Sequence, residues 1–213
     1  MQVAGLVLAA GQASRFGAPK VLKRLHGITL LEHALDALGR GGCAPVLVVL
    51  GAHADLVRHT VPLPATVCNP LWSTGMGSSL RAGLAALPSD VDAVVVALAD
   101  QPLVGAEAVA RLVRAGRAGA RAAVATYAGR PRNPVLLARP VFAEVAAGAT
   151  GDRGARDWLR AHPDLVVPVP CDDVGDPTDI DTPADLARLA GSSNDTMSDI
   201  DTELRVDPGR SEG

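Results

Sequence analysis

Lysine is almost missing from this chain: of 20 Lys and Arg residues, only Lys20 and Lys23 are lysine. Arg and Lys are not interchangeable where a compact ammonium must meet a phosphate, so the two survivors hint at a chemical requirement. Aromatic residues are also scarce, at 2%, which leaves Val, Leu and Ala to build the core. No basic run of the kind that follows a nucleic-acid backbone is present and the net charge is −3, so no nucleic-acid partner is expected. The longest apolar stretches, such as Ala93–Ala99, fall far short of a bilayer span, and no membrane partner is expected either. Cys43, Cys68 and Cys171 are odd in number and form no CxxC, which argues against a disulfide framework and a structural zinc site and makes the cytoplasm the expected location. The five histidines show no HExxH spacing; His53 and His59 are expected on a helix surface. The first residues lack a basic stretch, and Val3–Ala10 is expected to be a buried strand rather than a signal core.

What the chain does contain is the balance of an ordinary globular protein, 48% hydrophobic and 20% charged. Continuous apolar runs at Val3–Leu8, Val46–Leu50 and Ala93–Leu98 predict strands buried on both faces, with shorter strands at Ala65–Cys68, Ala122–Thr126, Val135–Leu137 and Val166–Val169. Helical periodicity falls between them, at Thr29–Leu38, Ala54–His59, Ser78–Leu87, Ala106–Ala115, Val141–Ala147, Arg153–Ala161 and Pro183–Ala190. Gly129–Pro134 is expected to be a loop. The alternation predicts an α/β fold: a doubly wound, mostly parallel sheet with helices on both faces, in one domain over residues 1–191. Residues 192–213 are polar and unpatterned and are expected to form a disordered tail; there Ser198–Thr202 echoes Thr178–Thr182.

In such sheets ligands bind outside the carboxyl ends of the strands, so chemistry is sought just after each strand. The loop Leu8-Ala9-Ala10-Gly11 to Lys20 follows the first strand. Its small residues admit a close backbone approach, and Arg15 and Lys20 add charge for a polyphosphate. It is neither a Walker A nor a GxGxxG loop. Leu98-Ala99-Asp100-Gln101-Pro102 puts a carboxylate at the end of a buried strand, where a hard divalent cation is a suitable partner; the alternative is an Asp capping the helix after Gly105. In Asp179-Ile180-Asp181-Thr182-Pro183-Ala184-Asp185, capping accounts for Thr182, Pro183 and Asp185 but not for Asp181, which a second metal carboxylate would explain; Asp179 stays ambiguous. Asn69–Gly83 opens a helix whose first amides and Ser hydroxyls could hold an anion, or else is a turn with a packed Trp72. Gly151–Arg156 is a charged helix start, with Asp152 as a candidate cap of that helix.

In this order, these segments and Gly129–Pro134 resemble the MocA-type molybdenum cofactor cytidylyltransferases of the MobA-like nucleotidyltransferase superfamily, over Val3–Leu189. The resemblance implies Mg²⁺-dependent transfer of CMP from CTP to a molybdopterin-type cofactor, with release of pyrophosphate. A molybdenum hydroxylase would receive the product. Ala9-Ala10-Gly11 matches the form found in cytidylyl members, which favours CTP over GTP. The resemblance sets Leu8, Ala9, Ala10, Gly11, Arg15, Lys20 and Ser79 around the nucleotide and makes Lys20, Asp100 and Arg15 catalytic. It puts Mg²⁺ on Asp100 and Asp181, and turns Asn69, Gly77, Ser78, Arg81, Gln101, Asn133, Asp152 and Arg156 toward the acceptor. Phe16 and Asn133 depart from common family choices, and the latter bears on the acceptor. Nicotine blue oxidoreductases, which use NAD(P)H, resemble the same sequence, notably at Gly41–Gly51, and give a rival activity; the absence of GxGxxG speaks against it. Another small-molecule nucleotidyltransferase and a non-catalytic handler of the cofactor are further alternatives.

Overall fold

The computed structural model describes residues 1–11 and 19–191. Arg15 and the tail after Gly191 lie outside the described residues. Seven strands form the main sheet: β1 (Val3–Ala9), β4 (Val46–Leu50), β5 (Ala65–Cys68), β6 (Ala93–Leu98), β7 (Ala122–Tyr127), β8 (Arg130–Ala138) and β9 (Val166–Pro170), in the order β5-β4-β1-β6-β8-β7-β9. β2 (Arg24–Leu25) and β3 (Ile28–Thr29) make a small separate hairpin that the hydrophobic pattern does not announce. The β5/β4, β4/β1, β1/β6 and β7/β9 pairs are parallel, and β8 runs antiparallel to both its neighbours. The sheet is thus mostly parallel, as the alternation of strand and helix patterns predicts.

Side chains of each strand alternate between two apolar layers. On one face Val7, Val48 and Val95 pack with Leu31 and Leu38 of α1 (Leu30–Arg40) and with Val109 and Leu112 of α4 (Ala106–Arg117); α2 (Ala54–Thr60) adds Val57. On the other, Leu6, Val49 and Val94 meet Leu80 and Leu84 of α3 (Met76–Ala86), Phe142 and Val145 of α5 (Phe142–Gly148) and Trp158 of α6 (Arg156–Ala161). The last helix, α7 (Pro183–Gly191), lays Leu186 and Leu189 on a small cluster around Leu25, Leu30 and Ile180. Helices cover both faces, which is why β1, β4 and β6 read as unbroken apolar runs.

Two expectations need correction. The chain from Arg130 to Pro134 is strand rather than loop, the first half of the nine-residue β8. β6 pairs only with Val135–Ala138, so this half projects beyond β6 and has one unpartnered side, where Pro131 and Pro134 are tolerated. Residues 153–161 are not one helix either. A 3₁₀ turn at Gly151–Arg153 is divided from α6 by Gly154, at φ 54, a left-handed conformation that glycine alone adopts cheaply.

Candidate functional site

β1, β4 and β6 run side by side and parallel, so their carboxyl ends share one edge of the sheet. The chain leaves β1 and β6 at neighbouring points, and there Leu8, Leu98 and Asp100 line two adjoining cavities of about 610 and 310 Å³. Both volumes fall in the range of small-ligand sites. The smaller is bounded by Ala10, Gly11, Trp72, Ser73 and Ser79, and the larger by Gln101, Arg132, Asn133, Arg156, Asp179 and Asp181, with Val96, Val124 and Val135 as an apolar floor. Met76 and Asp152 border both.

Asp100 stands two residues past the end of β6, and Lys20 begins a short 3₁₀ turn, Lys20–Leu22. The Lys20 ammonium lies 2.8 Å from Asp100 Oδ2 and 3.0 Å from Asp181 Oδ1. Its side chain is only 15% exposed, against 57% for Asp181. Burial is the largest single influence on Lys20 and opposes its charge, but the charge and hydrogen bond of Asp100, then those of Asp181, outweigh it and leave the pKa raised above the usual lysine value. Two carboxylates from segments some 80 residues apart therefore converge on one cation.

Three local features deliver Asp181. The Ile180 amide donates to the Asp100 carbonyl at 2.9 Å, and the Ile180 side chain is fully buried. Gln101 Nε2 donates to the Pro177 carbonyl at 3.1 Å and to Asp179 Oδ1 at 2.9 Å. Two acceptors on that side fix which way the amide faces. After Asp181, Thr182 and Asp185 exchange hydrogen bonds as the capping pattern predicts. Withdrawal from water, then the Asp100 charge, hold the Asp179 pKa above the ordinary carboxylate value, although the Gln101 hydrogen bond and Lys20 pull it down. Asp179 is thus held by Gln101, and Asp181 faces the Lys20 ammonium.

The donor set fits a divalent metal. Mg²⁺ takes one or two carboxylates and completes its shell with phosphate and water. Asp100 and Asp181 supply two, with the Lys20 ammonium as a stand-in cation between them. Among the described residues no group of three or more His, Cys, Asp or Glu is placed to hold a metal by itself, so a ligand would have to complete the shell.

The candidate acceptor residues divide. Gln101, Asn133, Asp152 and Arg156 line the larger cavity. Asn69, Gly77, Ser78 and Arg81 do not, and their polar groups are spent on the scaffold. Buried Asn69 donates to Ser78 Oγ at 2.8 Å and to Ser79 Oγ at 3.0 Å, and accepts from the Leu71 amide. Arg81 donates to the Ala149 carbonyl. A Cβ on Gly77 would lie 2.7 Å from backbone atoms of Ala149 and Thr150, so glycine lets α3 touch that segment. Asp152 does not cap the helix that follows it; Oδ1 accepts from the Met76 amide at 3.3 Å, at the start of α3. Of the nucleotide set, Leu8, Ala10, Gly11 and Ser79 line the smaller cavity, Ala9 is buried in the core and Arg15 lies outside the described residues. Sequence reasoning missed Arg132, which flanks Asn133 in the supposed loop. The side chains of Arg132 and Arg156 are exposed and make no hydrogen bond or ion pair among the described residues, whereas Arg153 pairs with Asp157 at 3.0 Å. Trp72 was equally explicable as packing; Gly51, with no Cβ, lets it lie against Ala10 at the cavity wall.

Two cavities of small-ligand size, a carboxylate pair and a lysine at the carboxyl edge of a mostly parallel sheet suit a nucleotidyltransferase. Residues 5–166 match the MobA-like NTP transferase domain, and the chain belongs to that family. It is 38% identical over 197 residues to a nicotine blue oxidoreductase of Paenarthrobacter nicotinovorans, covering 88% of this chain and 96% of that one. The crystal structure of Rv0371c from Mycobacterium tuberculosis H37Rv superimposes with a TM-score of 0.79 at 30% identity, covering 90% of this chain and 98% of that one. A crystal structure of the same mycobacterial protein in complex with manganese superimposes with a TM-score of 0.77 at 30% identity, over 90% of this chain and 100% of that one. The protein is a nucleotidyltransferase of the α/β type. Among the described residues no helix is long and apolar enough to cross a membrane.

Proposed function

We propose that the enzyme transfers CMP from CTP to the terminal phosphate of a molybdopterin-type cofactor and releases pyrophosphate. The observation that carries this is the convergence of Asp100, which lines both cavities, and Asp181, which lines the larger, on the Lys20 cation. The smaller cavity, beside Ala10 and Gly11, takes the nucleotide. The larger suits an anionic acceptor with a broad ring system, since its floor is aliphatic and the exposed Arg132 and Arg156 line it with no side-chain partner among the described residues. The preference for CTP rests on Ala9-Ala10-Gly11.

Asp100 and Asp181 would hold Mg²⁺, which supplies charge neutralisation at the α-phosphate. The chain's own residues do the rest. Gly11, with no side chain, lets phosphate oxygens approach the backbone, and Lys20 stabilises charge on the departing pyrophosphate, with Arg15 as a second cation. An acceptor phosphate oxygen attacks the α-phosphorus as the bond to the β-phosphate oxygen breaks. A phosphate monoester is largely ionised at neutral pH, its second pKa being about 6, so no side chain has to remove a proton. Positioning and electrostatics are what remains to be supplied.

A second activity is favoured by one observation, the full-length similarity to a nicotine blue oxidoreductase. Hydride transfer has no use for two carboxylates aimed at a cation, which places it behind nucleotidyl transfer. Pyrophosphate release with Mg²⁺ and molybdenum cofactor, comparing CTP, GTP and ATP, tests the proposal: release should be fastest with CTP and absent without the cofactor. No release with any triphosphate, together with NADPH oxidation by a quinonoid dye, would replace it with the reductase.

A further inference from the structure

The Lys20 ammonium lies where a metal held by Asp100 and Asp181 would have to lie. It makes ion pairs of 2.8 and 3.0 Å with the two acids, and its side chain is largely buried. We infer that Lys20 is an internal placeholder for the metal: the free enzyme neutralises its own carboxylate pair, and the divalent cation enters together with the triphosphate. This rests on the assignment of Asp100 and Asp181 as metal ligands.

The argument is electrostatic. Removing one partner from a shielded charge pair is costly unless a new partner is found. A metal arriving alone would have to push the ammonium off both carboxylates, with no anion to receive it. A metal arriving with a triphosphate brings that anion, so the ammonium exchanges two carboxylates for phosphate oxygens as the metal takes its place. Asp179 offers the displaced ammonium little, because Gln101 already donates to its carboxylate at 2.9 Å. Lys20 therefore has two positions, and the nucleotide decides between them. By linkage, what the nucleotide does for the metal the metal does equally for the nucleotide. The placeholder also prevents futile occupation of the carboxylates by bare cations.

The test is Mn²⁺ binding without nucleotide, followed by water-proton relaxation, in the wild type, Lys20→Met, and Lys20→Met combined with Asp100→Asn, with circular dichroism to verify folding. A placeholder that fills the site nine-tenths of the time weakens apparent affinity about tenfold, so Lys20→Met should bind Mn²⁺ about that much tighter than the wild type, and Asp100→Asn should abolish the gain. Equal or weaker binding by Lys20→Met, at a site still sensitive to Asp100→Asn, overturns the placeholder and leaves the metal assignment standing. Mn²⁺ binding indifferent to Asp100→Asn overturns the metal assignment as well. The wild type offers an independent measurement. Lys20 and Lys23 are the only lysines in the chain, so ¹³C-labelled lysine gives two resolvable side-chain signals. The Lys20 signal should stay in place when Mg²⁺ is added alone and move when Mg²⁺ is added with a non-hydrolysable CTP analogue. A signal that moves as readily with Mg²⁺ alone contradicts the inference.

Discussion

At the scale of the residue, Asp100 and Asp179 show how neighbours in one cavity take different roles. Asp100 meets the ammonium at 2.8 Å, whereas Asp179 meets an uncharged amide. Asp100→Asn keeps an oxygen that can accept from Lys20 while removing the charge. It should retain the wild-type circular dichroism spectrum and lose about a thousandfold in turnover, roughly 4 kcal/mol of barrier; near-normal turnover would remove Asp100 from the chemistry. Asp179 makes a prediction of stability against pH. Its pKa is raised in the fold, from a usual value of 3.8, so the fold favours the neutral acid. Ionisation at neutral pH subtracts from stability, and the penalty disappears below the usual value. Asp179→Asn keeps an acceptor for Gln101, so it should raise the melting temperature at pH 7, and the gain should fade as the pH falls toward 3.8. A gain that does not change with pH would contradict this account of Asp179.

At the scale of the element, the site depends on how the segment after β9 is tied to the end of β6. Gln101 and the Ile180 amide make that tie, and Asp181 follows from it. Gln101→Leu keeps the bulk but cuts both side-chain links. Loss of such supporting hydrogen bonds typically costs 10- to 100-fold in metal affinity, so the Mg²⁺ concentration for half-maximal turnover should rise by about tenfold or more; a lower maximal rate with unchanged Mg²⁺ dependence would deny Gln101 this role. The buried strands β1, β4 and β6 were legible because unbroken apolar runs have no other home in a layered α/β fold. Asp100 was legible for the converse reason, as a charge where such a run ends. The first half of β8 was not legible, because Pro131 and Pro134 argue against a strand unless one side is known to be unpaired, and only the sheet order shows that. The structural duties of Asn69, Ser78 and Arg81 were hidden likewise: Asn69 and Ser78 close the turn before α3 on each other and on nearby carbonyls, and Arg81 reaches the distant Ala149 carbonyl, pairings that residue type alone does not specify. The sequence casts Asp152 as facing the acceptor or else capping the helix after it; its carboxylate accepts instead from the first amide of α3, 76 residues earlier.

At the scale of the whole molecule, the parallel sheet gathers Gly11, Asp100 and the β8 projection at one edge, where two cavities share a wall. Under the proposed function, nucleotide and acceptor would occupy separate chambers; Asp100 lines both. The chain belongs to the MobA-like NTP transferase domain family, whose donor is a nucleoside triphosphate. The measurement that tests it most directly is the fate of label from [α-³²P]CTP incubated with enzyme, Mg²⁺ and molybdenum cofactor. The account predicts that the labelled phosphorus appears in a cofactor-bound product, in amounts equal to the pyrophosphate released. Label that stays in CTP, with folded enzyme and intact cofactor, would contradict it.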